Sequence, residues 1–111
     1  MSLYGEYIKE RLGRHIVEDE RGFVTFDIYP QEKACYLVDM YVRPDFRRKG
    51  TATKHFGDQV VAAAKQAGCT RIFSTVLPKA VNSTVSVKGL LADGFELSHM
   101  DEELIWFRRD L

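Results

Sequence analysis

With 111 residues the chain is long enough for one domain, spanning 1–111, around a single modest core. Sixteen Lys and Arg balance sixteen Asp and Glu, which argues against broad electrostatic attachment to nucleic acid or an anionic membrane but leaves room for a local basic patch. No apolar run approaches the ~20 residues of a membrane-spanning helix, and the N-terminus lacks a signal-peptide pattern. The two cysteines, Cys35 and Cys69, have neither disulfide-framework density nor metal-ligand spacing, so a reducing, cytoplasmic setting is expected.

The elements follow from periodicity. In "YGEYIKERLG" the residues Tyr4, Ile8 and Leu12 recur every four positions, and Gly13 supplies a helix stop. "HIVEDERGFVTFDIYP" reads as two strands around a turn at "DERG"; in the second, Val24, Phe26 and Ile28 alternate with Thr25 and Asp27. Pro30 and "QEK" break the chain before a third strand, "ACYLVDMYV", which ends shortly before Pro44. From Thr51 to Ala67 the pattern turns helical, with Ala52, Phe56, Val60, Ala63 and Ala67 on one face and Gly68 at the end. "TRIFSTVLP" is an apolar strand. "NSTVSVKGLLADG" is a second helix, capped by Asn82 or Ser83, and "FELSHMDEELIWFRR" closes as a hairpin near Asp101. Antiparallel strands, then helix–strand–helix and a hairpin, point to an α/β (α+β mixed) fold: a mixed, mainly antiparallel sheet with helices on its faces.

One stretch stands apart. "VRPDFRRKGTATKHF" sets Arg43, Arg47, Arg48, Lys49 and Gly50 between the third strand and the helix at Thr51. Amides in the first turn of a helix have no intrahelical acceptor, and the helix dipole places about half a positive charge there. Gly50 lets the backbone approach a bulky anion, and the basic side chains add attraction. The combination is a seat for a phosphate or pyrophosphate. It is neither a Walker loop, because Lys precedes Gly, nor a dinucleotide fingerprint, because only one of three glycines is present.

The pattern Arg47-x-x-Gly50-x-Ala52 closely resembles the [Gln/Arg]-x-x-Gly-x-[Gly/Ala] signature of the GNAT superfamily, the acyl-CoA-dependent N-acyltransferases. The resemblance extends through "YLVDMYVRPDFRRKGTATKHF", which is similar to the family's fourth strand, loop and third helix, and through "LLADGFEL", where a helix ends in Gly-Phe before a strand. It covers roughly residues 14 to 109 and implies a GNAT-like sheet and acetyl-CoA as co-substrate, with no metal. Backbone amides from Arg48 through Thr51, Ala52 and Thr53 would cradle the pyrophosphate of coenzyme A, with Arg47, Arg48 and Lys49 near the phosphates and Gly50 at the turn. Main-chain groups of Met40 and Val42 would pair with the pantetheine arm where two strands part, much as in strand addition. The same region would polarise the thioester carbonyl.

The family transfers its acyl group directly to an amine, so the resemblance implies an N-acetyltransferase whose primary-amine substrate stays unidentified. Asp39, on one strand face with Tyr41 and opposite Met40, is the residue to hold or deprotonate that amine. The chain also departs from the family. Leu90 stands where many members carry the Tyr that protonates the leaving thiolate, which leaves Tyr41 or water for that step. Ser83 occupies the family's Asn position, with Asn82 one place early, as a pantetheine contact or a helix cap. The family's first strand and helix have no counterpart, which exposes a sheet edge that a second protomer would cover as a homodimer. Two alternatives follow from these departures: a GNAT-fold protein that binds acyl-CoA with little or no catalysis, or a non-enzymatic interaction module with a basic surface loop. His15, His55 and His99 are too scattered for a zinc site, and neither nucleic acid nor membrane is expected as a partner.

Overall fold

The computed structural model describes residues 2–47 and 50–111. Six strands form one sheet: β1 (His15–Asp19), β2 (Gly22–Tyr29), β3 (Ala34–Val42), β4 (Arg71–Val76), β5 (Glu96–Asp101) and β6 (Leu104–Asp110). Their spatial order is β1-β2-β3-β4-β6-β5. Only β3 and β4 run parallel; the other neighbours are antiparallel. Helix α1 (Leu3–Tyr7) and a π-helical turn (Ile8–Leu12) precede β1, α2 (Thr51–Gln66) follows β3, and α3 (Ser83–Ala92) follows β4. The mixed, mainly antiparallel sheet with flanking helices is the expected architecture.

Local chemistry explains each boundary. The Ser2 side chain accepts the Gly5 N–H at 2.9 Å and so caps α1. The expected stripe of Tyr4, Ile8 and Leu12 is not the buried one. Gly5 and Ile8 are buried, whereas Tyr4 and Leu12 are exposed. The π turn is the reason, since its wider winding rotates Leu12 off the line that an α-helix would have kept. Between β1 and β2, Asp19 Oδ1 accepts the Arg21 N–H at 2.8 Å and holds the reversal. Gly22 is dictated by space, because a Cβ there would lie 1.9 Å from Tyr41 O on the neighbouring strand.

Two features of the sheet were hidden from simple alternation. On β3 the register jumps from Thr25↔Asp39 to Phe26↔Leu37, which leaves Val38 as the extra residue of a β-bulge. The bulge lets Cys35, Leu37, Met40 and Val42 all pack toward the same core, although 37 and 40 differ in parity. On α2 the buried row is Ala52, Phe56, Val60 and Ala64, with Gly57 beside it; Ala63 is half-buried and Ala67, at the C-cap, is exposed. Such an i, i+4 row is inclined to the helix axis, so α2 crosses the strands obliquely and its last turn overhangs them. The core beneath joins Val24, Phe26, Cys35, Ile72, Val76, Phe95 and Phe107 to that row. Helix α3 buries no residue completely; only Val87 and Leu90 lean on the core. Its end is tied to β6 by Asp93 Oδ2 and Arg109 Nη1 at 3.4 Å.

Cys35 and Cys69 are both free and buried. Burial pushes the Cys35 thiol up to about 12, with the neighbouring Cys69 and Asp27 adding to the shift. Neither is a poised nucleophile.

Candidate active site

The sheet is continuous except at one place. Strands β3 and β4 pair from Ala34↔Arg71 to Leu37↔Ser74, and there the pairing stops, although β3 continues to Val42 and β4 to Val76. Ser74 Oγ donates to Leu37 O at 3.3 Å at the fork. Beyond it the two strands part and leave a gap bounded by Val38–Val42 on one side. The Arg43 N–H bonds Arg21 O at 2.7 Å. Alternation along the antiparallel ladder therefore turns the main-chain groups of Tyr41 and Asp39 toward β2, and those of Met40 and Val42 into the gap. These are the strand groups that the sequence singled out.

Both of these gap-facing groups have a local partner. Asp39 Oδ1 accepts the Met40 N–H at 3.0 Å, and Arg47 Nε donates to Val42 O at 2.7 Å. The guanidinium of Arg47 also lies 5.5 Å over the Tyr41 ring. Arg47 is thus folded back onto the strand rather than extended toward the helix mouth. Such side-chain bonds satisfy an open strand edge without closing it to a ligand strand.

At the end of the gap lies the helix start that the sequence reads as an anion seat. A 3₁₀ turn (Pro44–Phe46) leads to Gly50, whose left-handed φ of 67° makes it the N-cap of α2. No side chain caps this helix, and its first turn holds no acid. The first helical bond runs from Lys54 N to Gly50 O at 2.9 Å, so the amides of Thr51, Ala52 and Thr53 have no intrahelical acceptor. Among the described residues a Cβ on Gly50 would meet nothing within 4 Å, so they leave the backbone open to approach from outside. An uncapped start on a 16-residue helix carries partial positive charge, the electrostatic condition for holding an anion. Arg48 and Lys49 lie outside the described residues.

Asp39 and Tyr41 are exposed on the face opposite α2, as strand alternation implies. Tyr41 packs on Phe23 with ring centroids 5.9 Å apart, between that ring and Arg47. Asn82 does sit at the N-cap of α3, with φ of 65°, but its side chain caps nothing; its carbonyl accepts the Ser86 N–H at 3.1 Å. The capping role expected for its amide is therefore not what holds the helix start. Leu90 leans on the core.

The structure brings together a group that the sequence reading left apart. Tyr36 and Thr75, on β3 and β4, share a hydroxyl–hydroxyl bond of 2.6 Å at the fork, on the face opposite α2. Trp106 stands beside them with its ring 6.0 Å from that of Tyr36. Parallel pairing of β3 with β4 makes Tyr36 and Thr75 neighbours, antiparallel pairing of β4 with β6 sets Trp106 opposite Thr75, and no local pattern signals either. Of the histidines, His15 stacks on Phe26, His55 lies 3.9 Å from Asp19 and His99 stacks on Trp106. Among the described residues no three His, Cys, Asp or Glu cluster as metal ligands, and no helix is long and apolar enough to cross a membrane.

Comparison with known proteins accords with this geometry. No curated protein matches the chain in sequence. Among solved structures, the PaiA N-acetyltransferase of Thermoplasma acidophilum in complex with coenzyme A superposes with a TM-score of 0.75 at 16% identity, covering 98% of this chain and 69% of that one. A Bacillus subtilis acetyltransferase in complex with CoA gives 0.72 at 15% identity, covering 96% and 83%. A Bacillus anthracis protein assigned as a streptothricin acetyltransferase, bound to acetyl coenzyme A, gives 0.75 at 19%, covering 99% and 70%. At these identities the likeness is one of fold. The sequence itself matches the Acetyltransferase (GNAT) family over residues 4–84, more than half its length, and the chain belongs to that family.

Proposed function

We propose that the protein transfers an acetyl group from acetyl-CoA to a primary amine by direct attack within a ternary complex. The observation that carries this reading is the uncapped start of α2 standing at the open end of the β3/β4 gap. Amides of Thr51, Ala52 and Thr53 would take the pyrophosphate, and Arg47 with its neighbours Arg48 and Lys49 would add charge. The Met40 amide and Val42 carbonyl would pair with the pantetheine, once Asp39 and Arg47 release them. Asn82, at the start of the helix that follows β4, is a further contact in this reading. Acetyl-CoA supplies the activated acyl group as a thioester.

Release of the Met40 N–H also frees the Asp39 carboxylate to receive a proton from the incoming ammonium, whose pKa in water is ~10.4. Coenzyme binding and base availability are then one event. Tyr41 or water returns a proton to the departing thiolate; replacing Tyr41 by Phe separates the two, since an unchanged rate assigns water. Sheet edges at β1 and β5 have no further strand partner among the described residues. A second copy pairing along β1 would make the homodimer, and a monomer by light scattering at micromolar concentration removes that part.

The test is calorimetric titration with acetyl-CoA and with coenzyme A, followed by thiol release in the presence of a primary-amine panel. Saturable micromolar binding and amine-dependent release are expected. Asp39→Ala should lower turnover about a hundredfold without weakening coenzyme binding, since the bond that competes for the Met40 N–H is gone; full turnover in that variant removes Asp39 from the mechanism. A second reading is favoured by Leu90, an apolar residue leaning on the core where a proton donor would stand. Under it the protein binds acetyl-CoA and accelerates transfer to no amine.

A further inference from the structure

The two halves of the sheet face opposite α2 are treated differently. Over β1 and β2 it is covered by α1 and the π turn, with Ile8 buried and Tyr4 against Phe23 at 5.0 Å. Over β3, β4 and β6 it carries a half-buried cluster of rings without a covering helix. Phe73 meets Trp106 edge-on at 6.4 Å, and His99 stacks on the outer side of Trp106 at 5.5 Å. Between the rings lies an open hollow of about 410 Å³ lined by Tyr29, Ala34, Cys35, Tyr36, Phe73 and Trp106. It shares Tyr36 with the hydroxyl pair at the fork of the gap. An apolar, aromatic recess with hydroxyls at one end has the lining, open on one side, of a small-molecule site.

We propose that this hollow is the acceptor subsite for a primary monoamine with an aromatic body, an arylalkylamine, whose nitrogen lies at the Tyr36–Thr75 hydroxyls. The inference rests on the transferase reading above and names its substrate class. Three features select that class. The lining carries no charged side chain, so the body of the ligand is apolar. The volume holds one aromatic ring with a short chain, and Tyr36, Phe73 and Trp106 offer ring edges and faces for stacking. Charge is unequal at the two ends. At the far end Ala34 pairs with Arg71, whose guanidinium lies 5.6 Å over Phe73, and Lys33 is next in sequence. Carboxylates near the rings are engaged: Asp101 accepts Trp106 Nε1 at 3.0 Å, and Asp27 pairs with Arg14 at 3.3 Å. A second ammonium at the far end meets Lys33, Arg71 and Arg108 against Glu32 and Asp110, the last bonded to Arg108 at 2.8 Å, so cations are in excess there. At the near end the hydroxyl pair, and Asp39 further along the same strand face, accept one.

Trp106 is the sole tryptophan, so its fluorescence reads occupancy of the hollow independently of turnover. Phenethylamine should produce a saturable change, at least about tenfold tighter than spermidine. Tyr29→Ala, at an exposed wall residue, should weaken phenethylamine about fivefold without unfolding the protein. Tyr36→Phe keeps the ring and should leave this binding within about threefold, while cutting acetyl transfer to phenethylamine about tenfold. Absence of a saturable change at millimolar phenethylamine, or equal affinity for spermidine, overturns the subsite even where acetyl-CoA binds and some other amine is acetylated. Failure of acetyl-CoA to bind sinks the transferase reading instead. A Trp106 signal that tracks protein concentration, alongside dimerisation by light scattering, makes the hollow a contact between copies and also overturns the subsite.

Discussion

Two helix starts follow the parted strands in the chain, α2 after β3 at Gly50 and α3 after β4 at Asn82, and they share a local geometry. Both caps are left-handed, with φ of 67° and 65°, neither is capped by a side chain, and neither first turn holds an acid. Their anchorage differs. Helix α2 is 16 residues long and buries Ala52, Phe56, Gly57, Val60 and Ala64, whereas α3 is 10 residues long and buries none. The start of α3 instead rests on its own loop, where Ser83 Oγ donates to Pro78 O at 2.9 Å. Free amides are common to every helix start; what makes one a seat is that the core holds it still while a ligand binds.

The largest expected effect tests that anchorage. Phe56 is fully buried on α2, and Phe56→Ala should cost about 3–5 kcal/mol. Leu90→Ala, on the half-buried face of α3, should cost about 1–2 kcal/mol. Urea midpoints measure both, and equal costs would erase the distinction between the helices. Next come the caps themselves. Gly50→Leu places a β-carbon in a left-handed conformation, at about 1–2 kcal/mol, and puts a side chain beside the amides. Affinity for acetyl-CoA should fall at least about tenfold by calorimetry. Asn82→Gly keeps the left-handed cap and removes only the side-chain amide. Unchanged affinity there would assign Asn82 a conformational role and take it out of the coenzyme contacts.

The fold was largely legible because its strands and α2 carry strong periodicity. The third strand's limits, Ala34 and Val42, coincide with those read from "ACYLVDMYV". The misreadings share a cause. A π turn at Ile8–Leu12 and an oblique helix row each break a period that sequence arithmetic assumes to be regular. The uncapped start of α2 was legible because it is local: Gly50 and the first turn of α2 are adjacent in the chain. The Tyr36–Thr75 pair was not, since 39 residues separate its members and only the parallel register joins them. The partners of Met40 and Val42 escaped for a different reason, because a side chain folding back onto its own strand leaves no mark in composition.

The smallest effect compares two ion pairs of opposite sign. Hydrogen bonding from Arg21 holds the Asp19 carboxyl below its usual range, against some desolvation. Burial pushes the Asp93 carboxyl up; Arg109 and Lys54 oppose the shift and Asp58 adds to it. For Asp19 the folded value lies below the unfolded one, so its stabilisation is present above the unfolded value and is lost as pH falls through the folded one. For Asp93 the order is reversed: its contribution is present below the unfolded value and lost as pH rises through the folded one. Both pairs are partly solvated, which limits each effect to about 1 kcal/mol or less. Urea midpoints from pH 3 to pH 7 should therefore show Asp19→Asn losing stability relative to the parent chain as pH rises, and Asp93→Asn gaining it. If Asp93→Asn instead loses stability toward neutral pH, the Arg109 pair outweighs burial, and the end of α3 is held by charge rather than merely tolerating it.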